Sequence, residues 1–418
     1  MKAAFRRVIQ PLLDLQLARL IKRHKLIVVA VGGSIGKTTT KIAIASVLAQ
    51  KYRVRVHSGN YNVPISVPLA AFLLEVPDPI LNPFAWIGRL YAMERTIWSK
   101  PAVDVLVLEL GTDHPGEMGM FMRYLKPDYG VVTAIAPEHM EYFGTIEAVA
   151  AEEFLLAKGA KQAILNDRFD RLHPLARGLK TAPLWYSENT LKPLVAKLEK
   201  HHDWDGNLWP DHLRQALGAA VLVGEQLKLN ESQILSGLAA FTGVPGRMQQ
   251  LAGINDSVII DDTYNSSPEA VVAALEYLGK LRVSGRRIAI LGSMNELGAN
   301  AAHYHAELGP MAAGVDLLVT IGALANDNLG PAAVGAGLDP TRFKPADSPY
   351  AAGEYLKLIV GPGDVVLAKG SQNGVFAEEA IKPLLANPAE ASKLVRQSAF
   401  WQASKRQQFP DAPHNSQP

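Results

Sequence analysis

The chain has 418 residues, 48% of them hydrophobic and 20% charged, and its 42 basic and 40 acidic residues leave a formal net charge of +2. That length and apolar content can bury two or three cores, while near neutrality removes the field a nucleic-acid partner requires, so small ligands are the expected class. No cysteine is present, which excludes disulfides, thiolate metal sites and a cysteine nucleophile, and no apolar run approaches the roughly 18 residues of a membrane span. With no signal-peptide pattern either, a cytoplasmic location is expected.

Residues 1–24 place Phe5, Ile9, Leu12, Leu13, Leu17 and Leu20 at helical spacing among Arg6, Arg7, Arg19, Lys22 and Arg23. Two readings follow: a helix packing its apolar stripe on the domain behind it, or a basic amphipathic helix in peripheral contact with an anionic membrane surface. From Leu26 onward, β-rich runs alternate with helical patterns: LIVVAV (26–31), VDVLVLEL (103–110), YGVVTAI (129–135) and QAILN (162–166). Apolar runs so spaced predict a mostly parallel sheet covered by helices on both faces. Between them, a proline-punctuated insertion at about 76–102 carries Trp86, Tyr91 and Trp98 and is expected to be a surface subdomain or partner site. HLRQALGAAVLVGEQL (212–227) reads as a helix.

A second series, SVIIDDTYN, RRIAILGSM, VDLLVTIG and GDVVLAKGS, begins near PGRM (245–248) and predicts another doubly wound α/β unit, with ligands at the C-terminal ends of its strands. The expected organisation is an N-terminal helix (1–24), a P-loop α/β domain (25–244), a smaller Rossmann-like α/β domain (245–386) and a frayed polar tail (387–418).

GGSIGKTT (32–39) stands between an apolar strand and a helical segment. In such a turn the backbone N–H groups of Gly33, Ser34, Ile35 and Gly36 face phosphate oxygens, Lys37 bridges the β- and γ-phosphates, and Thr38, followed by Thr39, offers a hydroxyl to Mg²⁺. Val31 stands where the longer Walker pattern has its first glycine, so this is the shorter GxxGKT form. Glu109 closes the strand VLVLE and His139 closes VVTAIAPEH, and both are expected at the P-loop edge as Mg²⁺ ligands.

GGSIGKTTTK, GNYNVPISVPL (59–69), LELGTDHPGE (108–117), AIAPEHMEYFG (134–144), PGRM, DDTYNSSPEA (261–270), LGSMNELG (291–298), HAELG (305–309) and KGS (369–371) follow one another in this chain. Their order resembles the Mur ligase family, and within it the D-alanyl-D-alanine-adding branch more than the folylpolyglutamate synthetases. The resemblance implies a reaction in which a substrate carboxylate attacks the γ-phosphate of ATP to give an acyl phosphate and ADP. An amine then displaces phosphate and forms an amide. By the same resemblance Lys37 and Mg²⁺ stabilise the transferring group, Thr38 and Glu109 hold one Mg²⁺, and His139 a second. It also assigns Arg247 to the nucleotide phosphates and Asp262, Tyr264 and Asn265 to nucleotide contacts, with closure of the C-terminal domain excluding water.

Four departures from the family pattern stand out. Only about 25 residues precede the P-loop strand, so uridine recognition is expected to be absent, relocated or supplied by a partner. Glu153, fourteen residues after His139, stands where the family carries a lysine thought to be carbamylated as a metal ligand; it is read either as a replacement acting through a water on the second Mg²⁺ or as a solvated helix glutamate. Gln372 follows KGS in place of an arginine, and Gln215 replaces an adenine-facing asparagine, so the amine substrate is open to change. The expected partners are a peptidoglycan precursor and an amine such as D-alanyl-D-alanine. A lipid-linked carboxylate, or a nucleotide-binding subunit without ligase activity, is the alternative.

Overall fold

The computed structural model describes residues 2–57, 61–136, 140–198, 210–295 and 297–410. The alternation of β-branched runs with helical segments builds two α/β units, residues 1–241 and 242–418, which divide slightly ahead of the boundary expected at 244. In the first, six parallel strands β1 (Ile27–Gly32), β2 (Val54–Val56), β3 (Val105–Glu109), β4 (Tyr129–Val132), β5 (Gln162–Asn166) and β6 (Leu184–Tyr186) lie in the order β2-β3-β1-β4-β5-β6. The register sets Val31 beside Glu109 and Gly32 beside Val132, so β1, β3 and β4 end on one edge. That edge, where the strand order reverses about β1, is where such sheets place ligands. The short edge strands β2 and β6 lack the long apolar runs that announce the central four.

The helices that matter for the site are α1 (Lys2–His24), α2 (Lys37–Leu48), α3 (Pro83–Trp98), α4 (Ile146–Gly159) and α5 (Asp211–Gln226). α1 drives Ile9, Leu13, Leu17 and Leu20 into the core, where they join Trp86, Met93 and Ile97 of α3. The packing reading of the N-terminal segment therefore holds for that stripe, but Leu12 lies on the opposite side of the helix, 43% exposed. The insertion is not a separate subdomain. It is a helix capped by Asn82, whose side chain accepts from the backbone N–H groups of Phe84 and Ala85, with Pro83 in its first turn. Among the described residues no helix is long and apolar enough to cross a membrane.

The second unit carries β7 (Gln249–Ala252), β8 (Val258–Asp262), β9 (Arg287–Gly292), β10 (Leu317–Ile321), β11 (Phe343–Ala346) and β12 (Val365–Lys369) in the order β11-β10-β9-β12-β8-β7, with only β7 antiparallel. α6 (Pro268–Lys280) follows β8 from a Ser267 cap. The expected frayed tail is corrected as far as residue 410. α7 (Ala399–Gln408) anchors it through Lys405, fully buried between Glu378 at 2.8 Å and Glu379. A polar sequence hides this because the anchor is a buried charge, which leaves no apolar periodicity to read.

Candidate active site

Between β1 and α2 the chain turns through Gly33 (φ 114°) and Gly36 (φ 86°). Only glycine fits the first, because a Cβ there would stand 2.4 Å from Thr133 Oγ1. The loop is tied to its neighbours: Ser34 N–H donates to the Ala134 carbonyl at 2.7 Å, and the Ser34 hydroxyl meets Ala136. Ile35 is exposed at the tip, while Thr38 and Thr39 open α2 as buried residues. Lys37 folds its ammonium onto the carbonyls of Gly33 and Ser34.

Glu153 on α4 is fully buried, which overturns its reading as a solvated helix residue. One carboxylate oxygen accepts the Gly33 N–H at 2.6 Å and the other the Thr112 hydroxyl at 2.8 Å. The glutamate thus braces the first glycine of the loop from the adjoining helix.

Thr38 donates its hydroxyl to Glu109 Oε1 at 3.1 Å, and Asn62 Nδ2 reaches the same oxygen at 3.4 Å. Glu109 Oε2 lies 3.0 Å from Lys41 Nζ, both side chains 2% exposed, yet among the described residues no hydrogen bond is directed at that buried oxygen. The two charges attract at this distance without a directed hydrogen bond between them. A buried carboxylate oxygen with directional capacity to spare, beside a threonine hydroxyl, fits a hard cation such as Mg²⁺. Among the described residues no group of three or more His, Asp or Glu side chains could hold a metal, so phosphate oxygens and water would complete its shell. His139 lies outside the described residues.

Gln215 on α5 accepts the Asn166 amide at 2.8 Å, which fixes both side chains where β5 ends. Lys41, Asn62, Thr112 and Asn166 escaped sequence reading as site residues. Lys41 stands one helical turn beyond Lys37, and Asn166 ends a strand on the ligand edge, which were the available signals.

In the second unit the four expected nucleotide residues gather at the ends of β8 and β12. The Arg247 guanidinium stacks on the Tyr264 ring at 4.0 Å, so Arg247 is engaged by an aromatic face and Tyr264 is half-buried rather than core. Gly246 (φ 69°) makes this approach possible, since a Cβ would lie 2.8 Å from the Tyr264 nitrogen. Asp262 pairs with Lys369 Nζ at 2.7 Å, and the same ammonium holds the Asn265 carbonyl at 3.0 Å. Gln372 lies just beyond, partly exposed. Beneath them Asp261 is fully buried and accepts from Gly246, from the Thr263 N–H and from the Thr263 hydroxyl. Burial outweighs those bonds and pushes its carboxyl up to about 6. Arg396 clamps the same loop, donating to the carbonyls of Thr263 and Tyr264 while paired with Glu378.

Residues 31–205 match the model of the Mur ligase middle domain, and residues 246–372 that of the Mur ligase, glutamate ligase domain. The chain is 31% identical over 388 residues to the UDP-N-acetylmuramoyl-tripeptide--D-alanyl-D-alanine ligase of Synechocystis sp., covering 88% of this chain and 76% of that one. The Escherichia coli enzyme of the same name is 27% identical, with 86% and 77% covered. Among solved structures, MurF from Thermotoga maritima in complex with ADP shares the fold at TM-score 0.64 and 22% identity, over 90% of this chain and 83% of that one. With both domain models matched in order and a relative above 30% identity over most of its length, the chain belongs to the Mur ligase family.

Proposed function

We propose that the chain is an ATP-dependent, ADP-forming ligase of the cytoplasm that joins D-alanyl-D-alanine, or a close analogue, to a carboxylate of UDP-N-acetylmuramoyl-tripeptide. The relatives' names supply the substrates. The observation that carries the chemistry is the Thr38–Glu109 pair at 3.1 Å, beside a glycine loop whose lysine is held within reach of its own backbone.

ATP is the first substrate. Its phosphates would meet the N–H groups of residues 35–38 and the N-terminus of α2. Lys37 would exchange the carbonyls of Gly33 and Ser34 for the β- and γ-phosphates. The acceptor carboxylate attacks the γ-phosphorus and ADP leaves; the amine then attacks the acyl carbon, loses a proton and expels phosphate. Negative charge builds in both steps, so positioned cations supply most of the catalysis. Mg²⁺, held by Thr38 and Glu109, would neutralise charge on the transferring phosphoryl group. A second ion is proposed at His139, which lies outside the described residues. Glu153 is assigned the positioning of Gly33, a role favoured over water-mediated metal binding because both its oxygens already accept hydrogen bonds. Gln215 with Asn166 is assigned to adenine, and Arg247, Asp262, Tyr264 and Asn265 to further nucleotide contacts.

The test is phosphate release from Mg²⁺–ATP with the tripeptide precursor and D-alanyl-D-alanine, separately and together. Release that needs both, with the pentapeptide product found by mass and a loss of at least about a hundredfold in Lys37→Ala, is expected. Nucleotide binding without substrate-dependent release would refute the assignment of substrates.

A further inference from the structure

α1 and α3 are each apolar on two sides, and only one side of each is covered. The inward stripes are Ile9, Leu13, Leu17 and Leu20 on α1 and Trp86, Met93 and Ile97 on α3. The outward ones are Val8, Leu12 and Leu15 on α1 and Phe84, Ile87, Tyr91 and Trp98 on α3, with Phe84 81% and Tyr91 67% exposed. Both outward sets follow helical spacing: Val8, Leu12 and Leu15 form one strip, Phe84, Ile87 and Tyr91 another, with Trp98 two turns on, beyond Arg95. A helix apolar all round is ordinarily enclosed, and an exposed patch of this kind marks a docking surface.

The two helices run in the same direction. Phe5 packs on Trp86 at 5.9 Å, Gln16 donates to Glu94 at 2.9 Å, and His24 reaches the Ile97 carbonyl at 2.8 Å, so contacts climb both together. Arg19 pairs with Glu94 and the Arg23 guanidinium lies over the Trp98 ring at 3.9 Å, which brings the strips side by side at their C-terminal ends.

Charge says what fits this face. The sequences of α1 and α3 hold eight lysines and arginines against two carboxylates, Asp14 and Glu94, leaving 34 basic against 38 acidic residues in the rest of the chain. Glu94 is committed to Arg19, and Asp14 is half-buried against Gln10 with its carboxyl raised by burial to about 6. Arg7, Lys22, Arg23 and Arg95 stay exposed. A cationic rim around an apolar, tyrosine- and tryptophan-bearing strip matches the interface of an anionic bilayer, where aromatic rings sit at headgroup level and basic side chains meet lipid phosphate.

We propose that the outward face of α1 and α3 docks the protein reversibly onto an anionic phospholipid surface. The inference does not rest on the ligase reaction. The test is flotation of the full chain with phosphatidylcholine vesicles containing about one third phosphatidylglycerol. Binding is expected, with none to phosphatidylcholine alone and a marked loss when salt rises from about 0.1 M to about 0.5 M. Phe84→Ser/Ile87→Ser should weaken it by on the order of tenfold or more. Lys22→Gln and Arg95→Gln should each cost about fivefold, one cation's share of the surface attraction. All these side chains are exposed, and unchanged melting curves would confirm that folding is intact. Absence of flotation by the parent chain, or flotation indifferent to all these substitutions, would overturn the proposal. So would size-exclusion behaviour in which Phe84→Ser/Ile87→Ser converts a dimer to a monomer, which would give the face to a second copy of the chain.

Discussion

Lys41 and Glu109 form a buried pair in which each charge depends on the other. Removing one partner strands the other in a dry site, whereas removing both leaves a neutral gap. Lys41→Met should therefore destabilise the first unit by about 3 kcal/mol or more, and Lys41→Met/Glu109→Gln by clearly less, as read by urea unfolding. Equal losses in the two variants would show that the pair is not coupled. Asp261 makes a pH prediction. Its folded carboxyl is raised from 3.8 to about 6, so as pH rises through that window the unfolded chain gives up its proton first. Stability should fall by about 3 kcal/mol between about pH 4 and about pH 6, then level off. Asp261→Asn carries no such charge and should flatten that segment of the curve; parallel curves would contradict the account. At this scale the sequence was only partly legible. Lys37, Thr38 and Glu109 follow from a strand–turn–helix pattern. That Glu153 is buried against Gly33, 120 positions away, does not, because nothing local in VAAEEFLLAK distinguishes it from a solvated glutamate.

Among elements, the central strands were readable because they are buried on both faces and so apolar without interruption, as in Val28–Val31 and Val105–Leu108. β2 and β6 are three residues each, half-buried except for Tyr186, which leaves no period to detect. α1 was read with one apolar stripe; its outward Val8 and Leu15 reveal a second, and single-stripe reasoning absorbed Leu12 into the wrong one. The most instructive failure is α7. Its sequence is polar, but Lys405 also accepts no solvent, lying against Glu378 and Glu379 and donating to the Arg396 carbonyl at 2.8 Å. Lys405→Met should cost about 3 to 5 kcal/mol by leaving two carboxylates short of a partner. Thermal melting would measure it. An unchanged melt for Lys405→Met would return the helix to the status of a tail.

For the molecule as a whole, a net charge of +2 conceals a cationic pair of helices on an otherwise acidic chain. Averages over a sequence lose what three-dimensional sorting creates. The two-unit plan was legible for a related reason: each unit repeats the alternation of strand and helix, and each encloses its own core. The clamp by Arg396 has a consequence for how the protein is made. Its guanidinium holds the carbonyl of Thr263, 133 residues earlier, and pairs with Glu378, while Lys405 donates to the backbone carbonyl of Arg396. Ribosomes build chains from the amino end and domains fold in that order. The loop carrying Asp262, Tyr264 and Asn265 is therefore translated long before the side chain that fastens it, and gains its fastening only once Arg396 has emerged. A chain cut short ahead of Arg396 would leave that loop without the guanidinium that fastens it.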